Sequence, residues 1–176
     1  TSREEKGELT NGGIGFMLRR IAAQRAGSAR QAVKIAGNLV DKYGYYSSGR
    51  TYCIADANEG WILHVVKGKH WIARRVPDEH IVIIANYYSL DEVDLDDKEN
   101  YMGSADIIDY AVKRGWYNRD KDEKFDFARA YSGPDNLKSM VNILRQWRAT
   151  NLLSKKQYEI EERFPFSFVP RKKVRK

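Results

Sequence analysis

The segment from Tyr52 to Tyr88 contains four short runs rich in β-branched and aromatic residues, separated by residues that favour turns. Turns are predicted at residues 56–60, 67–69 and 77–78, where Asp, Asn, Gly, Lys and Pro cluster. Runs of this length joined by short turns are typical of antiparallel strands that follow one another in the sheet. We therefore predict a β-meander over about residues 50–88, with Ile81–Ala85 as its last strand.

Two of the predicted strands have a pattern that indicates burial on both faces. In residues 61–66, both alternating sets are mainly apolar, and His64 is the one polar exception. Ile81–Ala85 is a continuous apolar run, which is typical of strands in the middle of a layered structure. Asn86 follows this run directly, so we expect its side chain to emerge at the end of a buried strand.

Helical periodicity precedes the meander. Residues 15–44 predict a helical hairpin that breaks at Gly27, restarts with Ser28 and Gln31 as a capping box, and ends at Gly44. Its second helix has an apolar stripe made of Ala32, Ala36, Leu39, Val40 and Tyr43.

A second helical region is predicted over about residues 104–150, followed by a tail at 151–176. Ser104 is expected to cap its first helix, a short helical piece is expected at Phe127–Tyr131, and a longer helix at about 136–150. The longer helix carries an apolar stripe made of Leu137, Met140, Val141, Leu144 and Trp147. The order of elements predicts an α+β protein in which residues 1–176 form a single domain or part of one.

Charge and composition limit the classes of function. The chain has 176 residues and a net charge of +7, but the tail residues Arg171, Lys172, Lys173, Arg175 and Lys176 supply five of these charges. A basic RNA-binding module is therefore an alternative, although the acidic stretch at residues 91–99 would repel a phosphate backbone. Because of this repulsion we expect no nucleic-acid partner. No apolar run is long enough to cross a bilayer, so we expect no membrane partner either.

Few side chains in the chain suggest chemistry by themselves. Cys53 lies inside a predicted strand, where a cysteine is usually a small buried residue, and it leaves the cellular compartment open. His64, His70 and His80 are too scattered to predict a metal site or a partner for Cys53. Thr1 could act as a terminal nucleophile only at the start of a buried strand, and the sequence after it is typical of a loop.

An ordered succession of motifs follows the helical hairpin and covers most of the chain. The motifs are Ser48-Gly49-Arg50-Thr51-Tyr52-Cys53-Ile54-Ala55-Asp56, His70-Trp71-Ile72-Ala73-Arg74-Arg75-Val76-Pro77-Asp78, Ile84-Ala85-Asn86, Asn100-Tyr101-Met102-Gly103-Ser104 and Arg114-Gly115-Trp116-Tyr117. In this order they resemble the dipeptidase A and secernin family of N-terminal-nucleophile cysteine hydrolases, whose relatives include acid ceramidase, penicillin V acylase and bile salt hydrolase.

The resemblance implies an αββα sandwich, in which antiparallel sheets lie between helical layers. It also implies a cysteine nucleophile at the mature N-terminus, with its own α-amine as the general base. Cys53 does not match that position, because the nucleophile of the family lies upstream of the helical hairpin. The chain therefore resembles an internal or C-terminal fragment that lacks the nucleophile and would be inactive alone.

The resemblance also suggests two site residues. Asn86 matches an asparagine that helps hold the oxyanion in related amidases, and the alternative is an asparagine that only ends a strand. Arg145, or alternatively Arg148, matches an active-site arginine of those relatives, and the alternative is an ordinary solvent-facing helical arginine.

The function implied is hydrolysis of dipeptides or short peptides by a cysteine peptidase that needs no metal or other cofactor. A non-catalytic, secernin-like interaction domain is the alternative from another class. A cut sandwich would also expose sheet surface, so association into a homo-oligomer is expected. The sequence leaves the localisation unknown, either cytoplasmic or exported.

Overall fold

A computed structural model describes residues 2–3 and 12–173 of the chain. Its elements are α1 (Met17–Arg25), α2 (Ala29–Tyr43), β1 (Arg50–Ala55), β2 (Gly60–Val65), β3 (Trp71–Val76), β4 (Tyr101–Gly103), α3 (Ile107–Lys113), α4 (Phe127–Tyr131), α5 (Pro134–Leu137) and α6 (Met140–Leu153). Helices and one antiparallel sheet follow in separate stretches of the chain, which confirms the α+β class. No helix among the described residues has both the length and the apolar character needed to cross a membrane.

The predicted helical hairpin is confirmed as α1 and α2. The Ser28 hydroxyl accepts a hydrogen bond from the Gln31 N–H at 3.2 Å, and the Gln31 side chain accepts one from the Gly27 N–H at 2.6 Å. Gly44 ends α2 with φ of 71°, a conformation that favours glycine. Tyr43, the last residue of α2, departs from the predicted stripe because it is exposed.

The start of α2 is bound to the turn between β1 and β2 through Asp56. Its carboxylate accepts hydrogen bonds from the backbone N–H groups of Ala29, Asn58 and Glu59 at 2.7 to 3.0 Å. These donors, led by that of Ala29 at the helix N-terminus, hold the pKa of the Asp56 carboxyl below its usual range. The predicted turn at residues 56–60 is therefore confirmed, and it also positions the hairpin on the sheet.

The sheet has four antiparallel strands in the order β1-β2-β3-β4, but its fourth strand is not the predicted one. Ile81–Ala85 leaves the sheet after the turn at Pro77, and Tyr101–Gly103 takes the place beside β3. Ile81 forms one isolated bridge with Phe168, and the rest of the run forms no strand. We refer to residues 81–86 as the extended segment. The prediction of a fourth meander strand was wrong because an apolar run indicates burial without indicating which backbone pairs with it.

Two cores lie on opposite faces of the sheet, which confirms the predicted burial of β2 on both sides. Trp61, Leu63 and Val65 pack against the helical hairpin. Ile62 and Val66 lie in the second core, which includes residues from α3 and α4, and residues 82, 84 and 88 also pack there. The run that follows β3 thus covers the face of the sheet opposite the hairpin.

Two predicted helix features are wrong. Ser104 does not cap α3, whose N-cap residue is Asp106; the Ser104 hydroxyl instead accepts a hydrogen bond from the Trp71 N–H at 3.1 Å. The predicted helix at 136–150 begins later, as α6 at Met140, and it is rotated. The short helix at Phe127–Tyr131 is confirmed.

The rotation of α6 places its polar side on the body of the protein. Asn142, Gln146 and Thr150 are buried, whereas side chains of the predicted apolar stripe are 54% (Met140), 68% (Val141) and 45% (Leu144) exposed. A hydrogen bond explains why Gln146 is on the buried side: its side-chain amide donates to the Ile83 carbonyl at 2.7 Å. The extended segment has backbone groups left over from sheet pairing, and α6 supplies polar side chains to bind them.

Candidate functional site

A cleft of about 610 Å³ lies between the edge strand β1 and the end of the extended segment. Residues 48–51 and Cys53 form one side, and residues 84–88 with Asn136 form the other. The two sides approach closely at Gly49, where φ is +93° and an added Cβ would lie 1.9 Å from the Tyr88 hydroxyl. Tyr88 itself is buried and fixed by a hydrogen bond to the Val65 carbonyl at 2.8 Å.

Asn86 lies in this cleft and follows the apolar run 81–85, but that run is not the strand that was predicted to precede it. Its backbone carbonyl accepts hydrogen bonds from the side-chain amides of Asn136 at 3.0 Å and Asn142 at 3.5 Å. Its own side chain is exposed and makes no hydrogen bond with any described residue. The backbone at Asn86 is therefore held in place while its amide N–H groups stay available to a ligand.

Arg145 lies on α6 and does not line the cleft. Its guanidinium donates to the Asn142 side-chain oxygen at 2.5 Å and to the Val141 carbonyl at 3.1 Å. Since Asn142 also donates to Asn86, the structure joins the two predicted site residues through one intervening side chain. Arg148 is exposed and makes no hydrogen bond or ion pair with a described residue.

Cys53 also lines the cleft, but its surroundings do not activate it. The expectation that Cys53 is buried is wrong, because it lies on the edge strand β1 and its side chain is exposed. Neighbouring atoms still desolvate the thiol in part, which raises its pKa and disfavours the nucleophilic thiolate. None of the three histidines contacts it: the ring nitrogens of His64, His70 and His80 bind Thr51, Asp106 and Ser167 respectively. The structure does not bring a cysteine and a histidine together here.

The remaining candidates from the sequence are Thr1, the basic tail and a metal site. Thr1 and the last three residues, including Arg175 and Lys176, are outside the described ranges. The described part of the basic tail, residues 171–173, is exposed. Within residues 2–3 and 12–173, no group of three or more His, Cys, Asp or Glu side chains is arranged to hold a metal ion.

Three residues of the site were missed by reasoning from sequence. Asn136 and Asn142 hold the Asn86 carbonyl, and Arg50 lines the cleft at the start of β1. One signal was available, because Asn142, Gln146 and Thr150 recur every four residues and so form a polar stripe on α6. No comparable signal marks Arg50 or Asn136, whose roles depend on contacts distant in the chain.

Sequence comparison places the chain in a class of peptidases. The profile of peptidase family C69 matches residues 7–175, which is nearly the whole chain. The chain belongs to peptidase family C69, and this confirms its resemblance to the dipeptidase A group.

The relatives it matches carry related names. It is 30% identical over 127 residues to a probable dipeptidase of Latilactobacillus sakei, covering 72% of this chain and 26% of that protein. It is 34% identical over 124 residues to a probable dipeptidase of Salmonella dublin, and the match covers 69% of this chain and 28% of that protein. With dipeptidase A of Lactobacillus helveticus the identity is 42% over 83 residues, and the match covers 47% of this chain and 17% of that protein. The chain thus matches about a quarter of the length of the first two relatives.

Proposed function

We propose that this chain is part of a cysteine dipeptidase and that it supplies the oxyanion-binding side of the active site. The observation that carries the proposal is the match to peptidase family C69 over residues 7–175. The names of the relatives support dipeptides as substrates. The nucleophile is proposed to be a cysteine encoded upstream of Thr1, with its free α-amine as the general base.

In this mechanism the cysteine thiolate attacks the carbonyl carbon of the peptide bond, and negative charge develops on the carbonyl oxygen. Asn86 donates a side-chain N–H to that oxygen. Asn136 and Asn142 hold the Asn86 backbone, which fixes the point from which this side-chain donor reaches the oxygen. The α-amine, protonated during attack, then gives its proton to the leaving amine, and water hydrolyses the acyl-enzyme.

Arg145 is proposed to contribute from outside the cleft. Its guanidinium binds the oxygen of the Asn142 amide, which leaves the Asn142 N–H₂ group directed toward Asn86. The positive charge of Arg145 also favours negative charge at the site. Arg145 is thus a positioning residue for Asn86, and Arg148, which is exposed on the same helix, is the alternative arginine.

The test uses the enzyme expressed from the complete reading frame. Asn86→Ala should lower kcat for a dipeptide by about 10² to 10³, which is the usual loss when one oxyanion donor is removed. Folding should change little, because the Asn86 side chain makes no hydrogen bond with a described residue. Asn58→Ala is the matched control, since Asn58 is also exposed and contributes only its backbone N–H to a turn.

Two outcomes would contradict the proposal. Near wild-type turnover in Asn86→Ala would exclude its role at the oxyanion. A complete reading frame with no cysteine upstream of Thr1, and no hydrolysis of any dipeptide, would reject the peptidase function and favour the non-catalytic interaction domain.

A further inference from the structure

Thr51 and His64 form a hydrogen-bonded pair beside the Asn86 cleft. They lie opposite each other in the register of β1 and β2, and the Thr51 hydroxyl oxygen is 2.8 Å from His64 Nδ1. Residues directly opposite each other in an antiparallel pair project to the same face of the sheet. Thr51 lines the cleft, whereas His64 is fully buried and does not line it.

The pair projects to the same face of the sheet as the segment that carries Asn86. The ring of His64 contacts the ring of Tyr88, with 5.2 Å between the two centroids. Tyr88 follows Asn86 by two residues and lines the cleft with it. Tyr52, the next residue of β1, projects to the other face and packs in the core of the helical hairpin. The Thr51 side chain is therefore on the Asn86 side of the sheet.

Burial determines which nitrogen of His64 carries the proton. The loss of hydration among aromatic rings lowers the pKa of His64 far below its usual value, so the imidazole is neutral and has one N–H. Its Nε2 has no hydrogen-bond partner among the described residues. A buried N–H without a partner is rarer in proteins than a buried acceptor without one. The proton is therefore assigned to Nδ1, which donates to the Thr51 oxygen.

This assignment determines what the Thr51 hydroxyl can offer to a ligand. A threonine hydroxyl has one O–H donor and two acceptor lone pairs. His64 uses one lone pair, and the hydroxyl has no other partner among the described residues. The O–H donor therefore stays available on the wall of the cleft, and the bond to His64 restricts the directions in which it points.

We propose that Thr51 contacts the substrate by donating a hydrogen bond to an oxygen of the peptide in the cleft, and that His64 is the positioning residue that orients this donor; this rests on the proposed function. An extended dipeptide spans about 7 Å, and a cleft of about 610 Å³ has room for it against both Thr51 and Asn86. Since Asn86 is proposed to hold the scissile carbonyl oxygen, the acceptor left in a dipeptide is its terminal carboxylate.

The experiment measures kcat/KM for one dipeptide in the complete enzyme. Thr51→Val removes the hydroxyl and should lower kcat/KM by about 10-fold, whereas Thr51→Ser keeps the hydroxyl and should stay within about 3-fold of the wild type. His64→Phe removes the group that orients the hydroxyl and should also lower kcat/KM. Because the two residues act as one unit, the double variant should lose no more than Thr51→Val alone.

Tyr52→Phe is the matched control, because it removes a hydroxyl from the neighbouring residue of β1, outside the Asn86 cleft. It should leave kcat/KM unchanged. A folded Thr51→Val enzyme with wild-type kcat/KM would overturn the contact with the substrate. Losses from Thr51→Val and His64→Phe that add in the double variant would overturn the positioning role of His64.

A second measurement does not depend on hydrolysis. Nitrogen-15 NMR of the complete enzyme should show His64 protonated on Nδ1 and not on Nε2. The opposite tautomer would overturn the proposal, because His64 would then occupy the Thr51 O–H.

If the wild-type enzyme hydrolyses no dipeptide, the proposed function fails, and Thr51 is tested separately by calorimetry with the same dipeptide. An affinity that Thr51→Val lowers and Thr51→Ser retains would support the contact. Absence of binding to the wild type, or equal affinities in the wild type and Thr51→Val, would overturn it.

Discussion

His64 is a fully buried histidine whose two ring nitrogens have different surroundings. Its Nδ1 lies 2.8 Å from the Thr51 hydroxyl, whereas its Nε2 has no hydrogen-bond partner among the described residues. The ring packs against those of Tyr88 and Phe127, which also contact each other. Burial among aromatic rings lowers the pKa of His64 to about 3, because the charged form loses its hydration there.

This lowered pKa predicts a pH dependence of stability. In the unfolded chain the imidazole titrates at its usual pKa of about 6.5, so between about pH 6.5 and 3 the unfolded state binds more protons than the folded state. The free energy of unfolding should therefore fall as the pH drops through this window, by up to ~1.4 kcal/mol per pH unit from this residue. His64→Phe should reduce the slope, measured by urea unfolding at a series of pH values.

His80→Phe is the control for that measurement, because His80 is only partly buried and bonds to Ser167 near the tail. It should retain the pH dependence of the wild type. An unchanged slope in His64→Phe would show that other groups cause the acid sensitivity.

Residue-level expectations succeeded where the chemistry is local. Ser28 at the start of α2, Gly44 at its end and Asp56 in the first β-turn were all predictable, because caps and turns involve groups within a few residues of one another. The environment of Asn86 was not predictable from the chain alone. Its carbonyl is held by Asn136 and Asn142, fifty or more positions away, and only the family resemblance selected it.

At the scale of elements, α6 shows how polar side chains can determine the buried face of a helix. Gln146 supplies a hydrogen bond to the Ile83 carbonyl from the buried side of α6. Gln146→Leu should leave that carbonyl without its partner, but it also removes the buried Gln146 Oε1, which has no partner among the described residues. The net loss of stability, measured by urea unfolding, should therefore be about 1 kcal/mol.

Thr150 offers a matched control on the same buried face. Its hydroxyl has no hydrogen-bond partner among the described residues, and the side chain is fully buried. Thr150→Val removes this hydroxyl at nearly constant shape, so stability should stay the same or rise. A larger loss in Thr150→Val than in Gln146→Leu would contradict the role given to the hydrogen bond.

The contacts of α6 also explain why the apolar periodicity of residues 136–150 predicted the wrong buried face. Residues 136–150 have apolar side chains at helical spacing, and such a stripe usually faces a core. Here the helix packs on the extended segment, where side-chain amides, not a neighbouring strand, donate hydrogen bonds to the carbonyls of Ile83 and Asn86. The sequence carries no local sign of those carbonyls, because they arise when Ile81–Ala85 fails to join the sheet beside β3.

At the scale of the whole molecule, exposed apolar surface is concentrated on helices rather than on a sheet face. The sheet is covered by the hairpin on one face and by the second core on the other. Met140, Val141 and Leu144 form an exposed apolar face on α6. If the chain associates, this face is the expected contact, since burying it removes apolar surface from water.

The association prediction is tested by sedimentation velocity over a range of concentrations. The chain should self-associate as its concentration rises, and Val141→Glu should shift it toward monomer, because a charge at the centre of the face opposes burial. Val112→Glu is the control, as Val112 is a partly exposed apolar residue on α3, outside the α6 face. A wild-type chain that stays monomeric at every concentration would contradict the prediction.

The way Asn86 is held also has a consequence for how such proteins change over evolutionary time. The fold depends on its backbone carbonyl, which any residue supplies, and not on its side chain. Replacement at this one position would remove the proposed chemistry at almost no cost in stability. If Asn86 holds the oxyanion as proposed, a single substitution lowers turnover by about 10² to 10³ and leaves the fold intact, and selection against misfolding does not oppose that step.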